Sequence, residues 1–482
     1  MITIARCEAR RLRAVLRRSA LGIAHRGPVP PITFAIEGDQ VCVRHRYGHL
    51  AVEHSSRCRW PSEGSVALPL DALADIEGKS DAIVALDPVS PGRVVARWTE
   101  RGIPQAREYA VPEADPATVV IGPPASWSET SSELIASLAG ATETAADDDT
   151  RYAIGCILLR ARPRGEGHEA VATDGRQILL RGGFALPWDA DVLVRSSPIF
   201  ACRGLPGDQP WSVGRTDTHV LIRSGPWTLA LEIQTGLRFP HVDQVFPDPG
   251  AATARLRLDP ADAATLADAL GRLPGADLPN SPVTVDLNGR IAVRAKGSGV
   301  GPATELVLGR SAYTGAPVRF STCRDYLARA IGLGFREVEV VDPSTPIACR
   351  SGGRAYAWQP LDADSAIGPA DDAIRVEPEG DPVPAAAAPH PSDRPARIDR
   401  APAITPAPTA AIAGPSEVPP SSTPTGLAGL IAEAGSLHEA LGQARSRAGR
   451  LVLALRKQKR REKLLTATLA SLRQLRLQDV VE

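Results

Sequence analysis

Aromatic residues are scarce in this chain, only 4% of 482 residues, and there is a single methionine. Any core must therefore be built from Leu, Val, Ile and Ala, and the 43% hydrophobic content is enough to build one. The formal net charge is zero, which excludes a uniformly basic nucleic-acid binder. The charge is unevenly placed, however. Residues 426–482 are net +6, residues 365–425 net −4, and residues 1–364 about −2. The seven cysteines form no C-x-x-C pair and their number is odd. That speaks against a disulfide framework or a zinc site, and for buried thiols in a reducing cytoplasm. No run approaches a membrane span, and "MITIARCEARRLRAVL" lacks the apolar core of a signal peptide. The expectation is a soluble cytoplasmic protein. No Gly-rich phosphate loop, metal-spaced His/Cys cluster or nucleophile elbow occurs, so neither an enzyme nor a metal or cofactor is expected. "GSGVG" near Gly297 reads as a turn.

What the chain does have is repetition. A weak period of about 127 residues runs through its first three quarters. Each repeat opens with a helical segment: "CEARRLRAVLRRSAL" from Cys7, "SSELIASLAGATETA" from Ser131 and "DPADAATLADALGRL" from Asp259. In the first, Leu12, Val15, Leu16 and Ser19 form a stripe at helical spacing. In the third, Asp259 is an N-cap and Pro260 stands at the first helical position. A second short helix is predicted mid-repeat, from Pro69, Ser196 and Ser321. Alternating runs such as "VTVDLNGRIAVRA" and "WTLALEIQ" between the helices predict strands. The predicted class is α+β, with helices on one face of antiparallel sheets. The predicted divisions are 1–125, 126–250 and 251–364.

Residues 365–425 hold 14 prolines among Ala, Ser and Thr and are expected to form a disordered linker. From Leu427 a 3-4 spacing of apolar residues predicts a coiled-coil tail over 426–482, with a basic cluster "RKQKRREK" from Arg456.

Three segments follow one another in the middle repeat: "TRYAIGCILLR" (Thr150–Arg160), "AVATDGRQILL" from Ala170 and "LRFPHVDQVFPDP" (Leu237–Pro249). Asp174 and Gly175 in the second are a tight-turn signal. In order and composition the three resemble the middle domain of the bacterial DNA sliding clamp, the β subunit of DNA polymerase III. "FSTCRDYLARAI" and "AYAWQPLDAD" resemble the last helix and closing strand of that family, and "RGPVPPITFAIEGDQVCVRHR" resembles its first domain more loosely. The resemblance covers residues 1–364. It implies two three-domain chains closing as a homodimeric ring, with helices lining the hole and sheet outside. It implies a processivity factor that encircles duplex DNA and docks polymerases or repair proteins through their peptides, without catalysis; a clamp loader is a further candidate partner.

The resemblance also implies a peptide pocket made by Ile154, Thr173, Gly175, Arg176, Gln177, Ile178, Pro240 and Val245. The third repeat would add Ser344, Pro346, Gln359, Pro360 and Leu361. The chain departs from the family at two of these places. Arg176, Gln177 and Ile178 stand where the family has His-Arg-Leu, and Gln359, Pro360 and Leu361 where it ends with Met-Pro-Met. DNA contact would fall to Arg10, Arg11, Arg13, Arg17 and Arg18 on the first helix and to Arg26 just beyond it. The other predicted helices are neutral or acidic, so the alternative is a clamp-fold scaffold that no longer encircles DNA and assembles through its tail. "QLRLQ" (Gln474–Gln478) resembles the family's docking peptide and is a candidate self-docking segment.

Overall fold

The computed structural model describes residues 1–21, 29–58, 64–111, 120–147, 152–162, 167–207, 209–299 and 301–377. Arg26, residues 378–425 of the expected linker, and the expected coiled coil with Gln474 and Leu477 lie outside the described residues.

The first repeat comprises β1 (Ile2–Ala5), α1 (Arg6–Ser19), β2 (Ile32–Glu37), β3 (Gln40–Tyr47), β4 (Leu50–Arg57), β5 (Ser65–Leu68), α2 (Ala72–Ile76), β6 (Ile83–Ser90), β7 (Arg93–Glu100) and β8 (Ile103–Ala110). The second comprises β9 (Ser128–Thr130), α3 (Glu133–Thr144), β10 (Cys156–Ala161), β11 (His168–Thr173), β12 (Gln177–Phe184) and β13 (Val192–Arg195). A 3₁₀ turn (Pro198–Ala201) then leads into β14 (Trp211–Arg215), β15 (His219–Ser224) and β16 (Trp227–Glu232). The third comprises β17 (Ala254–Arg257), α4 (Pro260–Leu270), β18 (Pro282–Asn288), β19 (Arg290–Ala295), β20 (Thr304–Val307) and β21 (Ala312–Gly315). It continues with β22 (Val318–Cys323), α5 (Arg324–Gly332), β23 (Glu337–Val340), β24 (Ile347–Ser351) and β25 (Arg354–Trp358), and β26 (Ile374–Val376) follows.

The sheets cross the repeat boundaries. One four-stranded sheet has the order β1-β6-β7-β8. An eight-stranded sheet, β5-β2-β3-β4-β16-β15-β14-β9, joins the first repeat to the second through β4 and β16. A nine-stranded sheet, β13-β10-β11-β12-β25-β24-β23-β17-β21, joins the second to the third through β12 and β25. Both junctions are antiparallel, and both pair the last strand of a three-strand meander with the final strand of the next repeat. The remaining sheet is β22-β18-β19-β20-β26.

Helix α1 shows why the sequence pattern works. Ala9, Leu12, Val15, Leu16 and Ser19 are buried together, and the side chains between them carry the arginines. Burying each of Leu12, Val15 and Leu16 stabilises the fold by about 1.5–3 kcal/mol. Asp259 caps α4 as expected, its Oδ1 accepting from the Ala261 N–H at 2.8 Å. The helices are neighbours in one row: α2 beside α1, α1 beside the 3₁₀ turn, that turn beside α3, and α5 beside α4. Arg329 of α5 links to α3, donating to the Gly140 carbonyl at 2.6 Å and the Thr144 hydroxyl at 2.8 Å.

Internal repetition reaches the side chains. In the first repeat Arg44 on β3 lies between Glu37 on β2 and Glu53 on β4. In the third, Arg294 on β19 lies between Asp286 on β18 and Glu305 on β20, all three buried. In the second, Arg160 on β10 instead joins Glu169 to Asp243.

Three expectations are corrected. The helix predicted from Ser196 is only the 3₁₀ turn: Pro198 starts it, Ser197 caps it, and the chain is extended again at Cys202. The helix predicted from Ser321 starts at Arg324, because Ser321–Cys323 complete the β22 ladder with β18. Residues 365–377, expected to open the disordered linker, lie along the last sheet and end in β26. Only one of the linker's 14 prolines, Pro369, falls there, and Ile367, Ile374 and Val376 restore apolar character. The seven cysteines form no disulfide. Among the described residues no helix is long and apolar enough to cross a membrane.

Three histidines of the first repeat make acid stability predictable. Burial pushes His45 down to about 4. Burial and Arg195 do the same to His49, and burial and Arg11 to His54, which stays neutral although Glu8 is 3.5 Å away. The unfolded chain takes up these protons near pH 6.5 and the folded chain only near 4. Stability is therefore lost as pH falls from about 6.5 toward about 4, by roughly 2–3 kcal/mol for each fully buried ring. Urea midpoints at pH 7.5, 6 and 5 check this, and a flat profile would contradict it.

Candidate peptide cleft and basic helix

The hairpin of β11 and β12 turns at Thr173–Arg176, and its own side chains fix the turn. Gly175 has φ +88°, a conformation that disfavours any side chain. The Thr173 hydroxyl accepts from the Gly175 N–H at 3.0 Å and donates to the Gln177 carbonyl at 2.7 Å. Asp174 Oδ1 accepts from the Arg176 and Gln177 N–H groups at 2.8 and 2.9 Å. The third repeat then clamps the hairpin from the side. The Gln359 N–H donates to the Arg176 carbonyl at 2.9 Å, and the ladder below pairs Gln177 with Trp358 and Ile178 with Ala357.

A second wall comes from the segment linking the second and third repeats. Arg160 grips Asp243 with two hydrogen bonds of 2.8 and 2.6 Å, which lowers the carboxyl's pKa. The Ala153 N–H donates to the Arg238 carbonyl at 3.0 Å. Val242 packs with Leu158, Val171 and Ile178 in a small apolar cluster, flanked by Phe239 and Phe246. The third wall is the turn between β23 and β24. There Asp342 accepts from Ser344 and Thr345, which holds its carboxyl well below the usual range.

These walls enclose a cavity of about 180 Å³. Of the residues expected at a pocket, Thr173, Gly175, Arg176, Ile178, Pro240, Val245, Pro346 and Gln359 line it. The other five do not. Gln177 is buried, and its Oε1 accepts from the Tyr356 hydroxyl at 2.6 Å. Ile154 sits near the end of α3, where its carbonyl accepts from the Ala146 N–H. Ser344 stands at the rim, its carbonyl accepting from Gln359 Nε2 at 2.9 Å. Pro360 is buried and Leu361 turns to β22, where its N–H meets the Ser321 carbonyl. Sequence reasoning missed His241, Val242, Ala357 and Trp358 as lining residues. The position of Val242 between Pro240 and Val245 was an available signal. Apolar walls with a polar edge of Arg176, His241 and Gln359 suit a short peptide with aliphatic or aromatic side chains. A second cleft, of about 340 Å³, lies at the other junction, beside β4 and β16, with Trp127 under Arg223.

The whole arrangement has solved counterparts. The DNA polymerase III subunit beta of Pseudomonas aeruginosa is 18% identical, with a TM-score of 0.62 over 75% of this chain and 99% of that one. The corresponding Thermotoga maritima protein is 12% identical, with a TM-score of 0.61 and the same coverage. That of Streptococcus pneumoniae is 13% identical, with a TM-score of 0.60 over 75% of this chain and all of the other. The fold is that of a bacterial sliding clamp. No protein-family model matches the chain, and no curated protein matches it in sequence.

In this clamp fold the arginines of α1 divide by partner. Arg10, Arg11, Arg17 and Arg18 are exposed. Arg13 is half-buried in an ion pair with Glu77 at 2.6 Å, so its charge is already matched. Arg203 is a basic residue that sequence reasoning missed. It is exposed and follows Cys202, whose thiol meets the Ala14 carbonyl of α1 at 3.7 Å. Its distance in sequence from α1 concealed it.

Proposed function

We propose that the chain is a sliding-clamp-like processivity factor. Two copies close head to tail as a ring around duplex DNA, and the cleft at Thr173–Ile178 docks peptides of polymerases or repair proteins. The domains would be 1–125, 126–250 and 251–364, and the tail beyond residue 425 would serve assembly or tethering. The chain would act in the cytoplasm by enclosure rather than catalysis, with a clamp loader opening the ring. The observation that carries this reading is the identical edge pairing at both junctions. The same scheme makes β20 at one end and β8 at the other the next strands to pair, so a second copy that added its β8 to β20 would continue the pattern until it closes. Arg10, Arg11, Arg17, Arg18 and Arg203 would give the sequence-blind phosphate contact that sliding requires.

The test is retention on nicked circular plasmid at saturating protein. Protein that co-elutes with the circle and is released by linearising it is the expected result. Arg10→Ala with Arg17→Ala should weaken retention and flatten its salt dependence. A second reading, a clamp-fold scaffold, is favoured by the exposed face of α3 and α5, where Asp325 is acidic and Glu133 and Glu143 are matched by Arg181 and Arg329, leaving no excess of positive charge. Equal retention on circular and linear DNA, or none on either, would support the scaffold.

A further inference from the structure

The two junctions specify what a third would look like. β4 takes β16 antiparallel, and β12 takes β25 antiparallel. The strand of the third repeat that corresponds to β4 and β12 is β20, the last of its own meander. The strand of the first repeat that corresponds to β16 and β25 is β8. β8 is an outermost strand and most of its residues are exposed, Ile103 to 62%. β20 is not outermost, because β26 lies on it.

β26 differs from a junction strand in every respect. It pairs parallel, Thr304 with Ile374, Glu305 with Arg375 and Leu306 with Val376. It is three residues long and all three are exposed. It reaches β20 as the end of a strap laid across the sheet. The Leu361 N–H donates to Ser321 on β22, the Ile367 N–H to the Thr284 hydroxyl on β18, and the Ile374 N–H to Ala303 beside β20. Charge adds to the hold: Arg375 Nε meets Glu305 at 3.2 Å, and Arg290 lies 3.9 Å from Glu377. An uncovered sheet edge invites pairing, and nature blocks it by covering it.

We propose that β26 is a built-in cap on the ring-closing edge. The backbone of β20 that would receive β8 of a second copy is engaged by β26 at Thr304–Leu306, so the two occupants exclude each other. The cap raises the concentration at which the ring closes, and whatever frees β26 promotes closure. The inference rests on the ring reading above. A three-residue exposed strand with few anchors is easily displaced, as a reversible cap must be.

The test compares full-length wild type with full-length Ile374→Pro, Arg375→Glu. The first change removes the N–H that meets Ala303, and the second reverses the charge facing Glu305. Both side chains are more than half exposed, so the sheet beneath is kept. Unchanged exchange in β18 and β19 verifies that. Hydrogen–deuterium exchange of residues 103–110 is followed against protein concentration. Protection of β8 reports this edge specifically, whatever the tail does to the mass. The expected result is that the midpoint for β8 protection falls at least tenfold in the variant. An unchanged midpoint overturns the cap and leaves the ring reading standing. A higher midpoint in the variant also overturns it, since β26 would then be part of the interface. No protection of β8 in either protein overturns the ring reading and the cap together.

Discussion

Arg324→Met will lower the unfolding free energy by about 3–5 kcal/mol, the largest effect expected of any single substitution in the third repeat. Arg324 is 2% exposed and faces backbone carbonyls rather than an acid. Its Nη1 donates to Leu270 at 2.9 Å and to Leu273 at 2.6 Å. Its Nη2 donates to Pro274 at 2.6 Å and Pro282 at 3.3 Å, and its Nε to Ser281 at 3.1 Å. The guanidinium thus ties the end of α4, the loop after it and the start of β18 to the first turn of α5. Methionine fills part of the volume but removes the side-chain donors, and the buried Leu270 and Leu273 carbonyls lose the donor they share, whereas Ser281 keeps the N–H of residue 324. Hydrogen bonds to a charged group are each worth about 1.5–3 kcal/mol, and five that share one side chain do not simply add. Arg324→Lys should fall between, because an ammonium has three donors and no planar fork. Guanidinium unfolding of the full-length protein, with exchange at residues 282–288, checks the order. A loss under 1 kcal/mol for Arg324→Met would show that water replaces the arginine.

This residue also marks where sequence reading stops. "CRDYLARAI" displays helical spacing, and Leu327 and Ile331 of that stripe are buried as expected. Arg324 stands three positions before Leu327 and so falls on the same stripe, but its charge reads as solvent-facing, because the carbonyls that hold it inside lie 42–54 positions earlier. The signals that were legible are local ones. Gly175 announces its turn because few residues accept positive φ. Asp259 and Pro260 announce the start of α4 because capping is decided within three residues. The stripe of α1 announces its buried face.

The cleft was legible only in part for the same reason. The turn and Pro240 could be placed by resemblance, but the lining by Ala357 and Trp358 depends on β25 pairing with β12 in the register that sets Ala357 opposite Ile178. Gln177 stood in the expected set, yet the β12–β25 ladder brings it to Tyr356, where its amide is consumed internally. β26 was illegible for a different reason. Proline density averaged over 61 residues hid a short apolar start, Ile367 to Val376, that the sheet edge could capture.

Val245→Asp will weaken docking of a labelled Gln-Leu-Ser-Leu-Phe peptide by about 10–30-fold, with little change in stability. Val245 lines the cleft yet remains 44% exposed, so a carboxylate there stays hydrated in the unbound protein and the fold tolerates it. A bound peptide would cover it. The apolar side chain entering between Val245, Pro346 and Ile178 would then have to strip water from the carboxylate or leave its own surface wet. A cost of about 1.4–2 kcal/mol corresponds to that loss of affinity. Val245→Ala, which only trims contact area, should cost a factor of about 2–5. Fluorescence anisotropy on the full-length proteins measures both, and Trp127→Ala, in the cleft beside β4 and β16, controls for the other junction. If Val245→Asp binds as wild type does while Trp127→Ala loses the peptide, docking belongs to the first junction. If none of the proteins binds, partners enter by another surface and the docking half of the proposed function falls. The expected pattern, a steep loss at Val245→Asp with Trp127→Ala unchanged, would place the peptide against the hairpin that Thr173, Asp174 and Gly175 hold in shape.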